Sequence, residues 1–355
     1  MTFFKSLPKV ELHAHLNGSI SRGSMTKLVD LHRDKWPDEP MPDNCDLIID
    51  GGEYGTNKDP FLIFPIIHAV TDNVDAVRTV TRDVVKEFAE DGVRYLELRT
   101  TPRDVPGRMN KLEYCTTVLE EIIRISEDKS GDEFVISVKL LLSVDRKHLA
   151  SLDDIVDLYK SLKRDARYER VLAGLDISGD PRVNDLRTVT DKLIKLKTEG
   201  VKVAVHLAEI VNHDETGAVL DIGPDRIGHG TCIHPSLGGS DQLWSQLRSN
   251  GCPVEVCLSS NVVCNTVPAY QDHQAHIYHQ HGVPIIVCTD DKGVFNCDLS
   301  SELRIAAETF CWSNETLYHL QYTALDHAFI SEKERVELRD YWKQWRQDNN
   351  DFFSG

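Results

Sequence analysis

"VPIIVCT" (283–289) is a run of apolar and β-branched residues with no polar alternation, so as a strand it needs cover on both faces. Strands of that kind belong to parallel sheets with helices packed on the outside. Similar runs recur upstream at wide intervals: "KVELHA" (9–14), "VRYLELRT" (93–100), "FVISVKLLLS" (134–143), "LAGLDIS" (172–178), "VKVAVHL" (201–207), "DRIGHG" (225–230) and "PVEVCL" (253–258). The intervening segments 74–91, 111–127 and 152–165 carry helical spacing. Eight alternations of strand and helix predict an α/β chain folded as a (β/α)₈ TIM barrel. The expected organisation over 1–355 is one domain, with a barrel core over about 8–310 and extra C-terminal helices over 311–348. The Pro- and acid-rich stretch 36–59 reads as a long loop after the first strand and fits no motif.

The composition agrees with a large soluble domain, since 41% of the 355 residues are hydrophobic and 27% are charged. A net charge of −17 with no basic block argues against nucleic acid, which selects a basic face. A small anionic substrate stays open, because a few local cations and backbone amides can hold one phosphate. No apolar run reaches the length of a membrane helix, and "MTFFKSLPKV" (1–10) lacks the parts of a signal peptide, so a cytoplasmic protein without membrane contact is expected, as a monomer. The nine cysteines are scattered, odd in number and without a Cys-x-x-Cys pair, which fits reduced thiols rather than disulfides or a zinc ribbon.

A barrel gathers the C-terminal ends of its strands at one mouth, so polar residues there converge across the sequence. Strand one ends in His13 and His15, strand five in His206 with Glu209 beyond it, strand six in His229, and strand eight in Asp290 and Asp291. Residues i and i+2 of a strand share a face, so both imidazoles of "HAH" can point at one ion. Three histidines and one carboxylate suit zinc with a position left for water, whose pKa such an ion lowers to about 7. Glu209 is left free for proton transfer, and His229 and Asp291 are both candidates to orient the water and take its proton. The histidine-rich "DHQAHIYHQH" (272–281) falls where a helix between strands seven and eight is expected, and reads as a solvated or packed helix face.

"PKVELHAHLNGS", "SGDP", "HLAE", "DRIGHG", "SSN" and "CTDDKGVF" occur in the order found in the adenosine and AMP deaminases of the amidohydrolase superfamily. The chain resembles that family from residue 8 to about 310. The resemblance implies one zinc ion per chain on His13, His15, His206 and Asp290, with Glu209 as proton donor to the purine, His229 and Asp291 beside the attacking water, and Gly179 as a backbone contact to the base. The implied reaction is hydrolysis at carbon six of a purine with loss of the exocyclic amine.

At position 17 the family's adenosine deaminases carry Asp, and this chain carries Asn. A carboxylate there repels a 5′-phosphate, whereas an amide can donate to it. With "ELRTTPR" (97–103) and "LLLSVDR" (140–146), the substitution is most similar to the adenosine deaminase-like branch, whose activity converts N(6)-methyl-AMP to IMP and methylamine. That resemblance implies substrate contacts at His15, Asn17, His68, Thr100, Thr101, Pro102, Arg103, Asp145, Gly179, Glu209 and Asp291. Asn17, His68, Arg103 and the two threonines are the phosphate candidates, and Lys292 in "DDKG" is a weaker one. The competing expectations are an adenosine deaminase, and a catalytically silent purine-binding barrel.

Overall fold

All eight apolar runs form strands in a computed structural model of the chain, which describes residues 2–40, 63–127 and 136–353. They are β1 (Lys9–His15), β2 (Val93–Thr100), β3 (Ser137–Asp145), β4 (Leu172–Ser178), β5 (Val203–Leu207), β6 (Arg226–His229), β7 (Val254–Val256) and β8 (Ile285–Val287). Each pairs in parallel with the next in sequence order, giving one eight-stranded sheet. The edges meet at a parallel bridge between Ala14 and Asp290, where Asp290 N–H donates to the His13 carbonyl (2.8 Å) and His15 N–H to the Asp290 carbonyl (3.0 Å). Barrel closure thus places Asp290 against the two histidines of β1.

Helices return the chain between strands, and their sequences explain their bounds. In Val74–Glu90, Ala76, Val77, Val80, Val84 and Phe88 form the buried stripe, and the Asn73 side chain accepts from the backbone N–H groups of Asp75 and Ala76. Beyond β8 the helices Leu299–Phe310, Asn314–Ala324 and Glu332–Asp348 occupy the C-terminal part of the chain. The last of these buries Trp342 in a cluster with Val10, Leu12, Ile286 and Cys288, so these helices cover the β8–β1 closure. Helix Arg22–Lys35 intervenes between β1 and the expected loop 36–59; residues 36–40 follow it, and the rest of that loop lies outside the described residues. Among the described residues no helix is long and apolar enough to cross a membrane, and the eight described cysteines are free.

Candidate active site

Apolar strands bring an unusual number of ionisable groups into the barrel, and these form a layer beneath the mouth. Arg99 donates to Asp176 (2.9 Å), to Glu255 (2.9 Å) and to the Leu12 carbonyl (2.6 Å). Arg226 donates to the other Glu255 oxygen and to Glu97 (2.5 Å each), and Tyr95 hydroxyl donates to Glu97 (2.6 Å). All of these side chains are fully buried, which is tolerable because each charge has an opposite partner.

This layer orients the histidines above it. His13 Nδ1 lies 2.8 Å from Glu255 Oε2, and His206 Nδ1 lies 3.1 Å from the Ile177 carbonyl and 3.3 Å from Asp176 Oδ1. Their outer nitrogens being held, both rings turn Nε2 inward. His13 Nε2 and His15 Nε2 each stand 3.3 Å from Asp290 Oδ1, and His15 Nε2 is 3.2 Å from His206 Nε2. Four ligand atoms about 2.0–2.1 Å from a common centre, arranged tetrahedrally, are separated by roughly 3.3 Å, so this spacing fits a divalent ion.

A slightly wider grouping, within 4.8 Å, joins His13, His206 and Asp290 to His229 instead of His15. His229 Nε2 stands back at 3.8 Å from Asp290 Oδ2 and 3.8 Å from Glu209 Oε2, so the shorter contacts favour His15 as the fourth ligand. Neither ring nitrogen of buried His13 makes a well-aligned hydrogen bond among the described residues; Nδ1 faces Glu255, and Nε2, 3.3 Å from Asp290 Oδ1, is left to face the centre of the cluster. Burial and Arg99 work against a proton on His13, yet Asp290 and Glu255 outweigh them and hold its pKa up at about 9. Carboxylates that retain a proton there also attract a cation.

The backbone is arranged to the same end. Ala208, His229 and Asp290, all at strand ends around the mouth, have positive φ of 56°, 63° and 60°. Such conformations cost on the order of 1–3 kcal/mol each in non-glycine residues and persist where neighbours enforce them. Ala208 turns the chain between His206 and Glu209, and its carbonyl accepts from Cys232 N–H (2.7 Å). The Asp291 carboxylate lies so close to the Gly18 backbone that a Cβ on Gly18 would sit 1.6 Å from Asp291 Oδ1. Gly179 (φ +105°) likewise admits Asp145, whose Oδ1 would be 2.4 Å from a Cβ.

Two carboxyl groups in the mouth keep an unpartnered buried oxygen among the described residues: Glu209 Oε1 and Asp291 Oδ1. Burial, then the Asp290 charge, push Glu209 up to about 8, and the same two causes hold Asp291 well above the usual carboxyl range. Asp290 itself is held far below that range: burial opposes its charge, but His13 and the other mouth histidines outweigh it. One carboxyl group favours its charged form beside two whose proton affinity is raised, an arrangement suited to acid–base work.

Asn17 is half-buried at the turn after β1, near the Tyr114 hydroxyl, which pairs with Thr100 Oγ1 (2.5 Å). Arg103 donates to the Thr71 carbonyl (3.0 Å) and hydroxyl (2.8 Å) and to the His68 carbonyl (2.9 Å), fastening helix Phe64–Val70 to the end of β2. His68 and Thr101 are exposed, and Pro102 is buried. Asp145 accepts from Lys147 N–H (2.8 Å), while Arg146 pairs with Glu215 (2.7 Å). A cavity of about 780 Å³ opens at the ends of β2 and β3, lined by Thr101, Pro102, Ser143, Asp145, Lys111 and Lys147 and by none of the mouth histidines. Lys292 turns away from the mouth onto Glu87 (2.6 Å) and the Phe88 ring.

Sequence reasoning passed over Asp176 and Glu255, although an acid inside an otherwise apolar strand is a legible signal. It also passed over Tyr114, which carries no such signal. Of the histidine-rich segment, His276, His279 and His281 are half-buried or exposed around helix Gln274–Gln280. His273, by contrast, is buried at the N-cap of that helix, because both of its ring nitrogens are engaged.

The adenosine deaminase family model matches residues 8–345. The N6-methyl-AMP deaminase of Bos taurus is 41% identical over 345 residues, covering 96% of this chain and 95% of the relative. The apo structure of the N6-methyl-AMP deaminase from Arabidopsis thaliana superposes with a TM-score of 0.84 at 32% identity, covering 96% of this chain and 98% of that one. A structure of arabidopsis ADAL complexed with IMP matches equally, with a TM-score of 0.84, 32% identity and coverage of 98% and 99%. On both the extent of the match and the identity, this chain belongs to the adenosine deaminase family.

Proposed function

We propose that this chain hydrolyses 6-N-substituted purine nucleoside monophosphates, converting N(6)-methyl-AMP and water to IMP and methylamine, with one zinc ion on His13, His15, His206 and Asp290. The observation that carries the reading is the intact histidine–carboxylate mouth joined to an amide, Asn17, where the family's adenosine deaminases have a carboxylate. The similarity to enzymes named for N6-methyl-AMP, and the IMP complex of one relative, support the same substrate class.

When bound, the ion supplies Lewis acidity that makes a water nucleophilic near neutral pH. The chain does the rest. Glu209, protonated because it is buried near Asp290, delivers its proton to the ring nitrogen beside carbon six as the water oxygen attacks that carbon. Asp291 enters the cycle ionised and, with its raised proton affinity, takes the proton the water loses, and His229 orients the water from the end of β6. Asp291 then returns its proton to the departing amine as the carbon–nitrogen bond breaks, and the new hydroxyl reprotonates Glu209. At the far end of the substrate, Asn17, Thr100, Thr101, Arg103 and His68 offer donors to the phosphate, and Gly179 offers its backbone to the base.

The test is a substrate panel for the zinc-loaded protein: N(6)-methyl-AMP, AMP and adenosine. The expected order of kcat/KM places N(6)-methyl-AMP first and adenosine last. Faster turnover of adenosine than of either monophosphate overturns the nucleotide reading.

A further inference from the structure

His229 can bear its proton on either ring nitrogen, and the choice decides whether it offers the reacting water a donor or an acceptor. Two backbone groups fix that choice through a chain of side chains. Gln274 Nε2 lies 3.0 Å from the His229 carbonyl, which can only accept, so this end of the Gln274 amide is its NH₂. The same NH₂ lies 3.2 Å from Asn261 Oδ1, so that end of Asn261 is the carbonyl. Independently, the Ala275 N–H donates to His273 Nδ1 (3.1 Å), which leaves the His273 proton on Nε2. His273 Nε2 points at the same Asn261 Oδ1, 3.0 Å away. Burial pushes the His273 pKa down to about 3 and keeps that ring neutral.

Both routes orient Asn261 the same way. Its NH₂ faces Thr266 Oγ1 (3.0 Å) and His229 Nδ1 (3.3 Å). Nδ1 of His229 is therefore the acceptor, and its proton sits on Nε2, the nitrogen that faces Glu209 and Asp290.

We propose that Asn261, His273 and Gln274 form a relay of positioning residues that locks His229 as a hydrogen-bond donor into the mouth. His229 then orients the attacking water through Nε2–H and does not take its proton, which goes to Asp291. The proposal rests on the hydrolytic reading for its consequence, and on the hydrogen-bond pattern alone for the tautomer. It also gives "SSN" and one histidine of "DHQAHIYHQH" a task.

The tautomer can be read without substrate, from long-range proton–nitrogen correlation spectra of zinc-loaded protein labelled with ¹⁵N-histidine, the His229 signals being assigned by their loss in His229→Asn. The expected pattern is Nε2–H; an Nδ1–H pattern overturns the relay whatever the substrate is. Asn261→Asp presents carboxylate oxygens to Nδ1 and should move the proton there, lowering kcat at least a hundredfold with KM for N(6)-methyl-AMP within about threefold. Wild-type kcat in a folded, zinc-loaded Asn261→Asp protein overturns the proposal. Should the Nε2–H pattern appear in a protein that turns over none of the purines, the substrate reading fails and the relay stands.

Discussion

The two layers of ionisable groups inside the barrel are built on opposite terms. In the lower one, Asp176, Arg99, Glu255, Arg226 and Glu97 form an unbroken chain of ion pairs at 2.5–2.9 Å, in which Arg99 Nε alone lacks a hydrogen-bond partner among the described residues. In the mouth, His13 Nε2, Glu209 Oε1 and Asp291 Oδ1 are equally shut off from solvent and have no hydrogen-bond partner among the described residues. Since a buried polar atom without a partner costs about 1–3 kcal/mol, the mouth is a stored demand for an ion, a water and a substrate. The lower layer is the rigid base on which that demand can be held in place. Glu255 and Asp176 belong to both layers, each approaching an arginine below and a histidine above.

The strongest way to break this contrast is to remove one proton-carrying group from the mouth while keeping its shape. Glu209→Gln retains zinc and fold but has no proton to deliver, so kcat should fall by about 10²–10⁴-fold. Metal content and the unfolding transition are expected to match wild type. Turnover within tenfold of wild type contradicts the role assigned to Glu209.

Charge removal in the lower layer should show the reverse pattern. Glu255→Gln leaves Arg99 and Arg226 short of one negative charge in a site closed to water, and breaking such a buried pair costs about 3–5 kcal/mol. Chemical denaturation of the metal-free protein should record that loss. Because the same carboxylate steadies His13 Nδ1, metal affinity should also drop about 10–100-fold in a chelator competition. A variant with unchanged stability and affinity would mean that Arg99 and Arg226 are satisfied without Glu255.

The contrast was only half readable from the sequence. All eight strands announce themselves as apolar runs, and the mouth residues announce themselves as polar residues at the ends of those runs, because the fold's geometry ties strand end to site. The lower layer breaks the rule that apolar runs carry no function. Glu97, Asp176, Arg226 and Glu255 sit inside the runs, and only the three-dimensional pairing shows that their charges cancel. His273 was obscured differently: four histidines in ten residues look alike in sequence, and only the one at the helix N-cap reaches Asn261.

The gentlest perturbation concerns the border between the protein's own pairing and the substrate's. Tyr114 is fully buried, and its hydroxyl pairs with Thr100 Oγ1 near Asn17, so on the proposed reading it holds the side of the site where the Asn17 amide would meet the phosphate. Tyr114→Phe preserves the ring and removes that one link, at a cost of about 1 kcal/mol, or roughly fivefold in kcat/KM. If Asn17 acts on the phosphate, the loss falls on N(6)-methyl-AMP and spares the corresponding nucleoside, so the ratio of the two kcat/KM values shrinks by about that factor. If both substrates lose equally, the hydroxyl serves the barrel mouth as a whole, and the choice of nucleotide over nucleoside must be made by Arg103, His68 and the exposed hydroxyl of Thr101 instead.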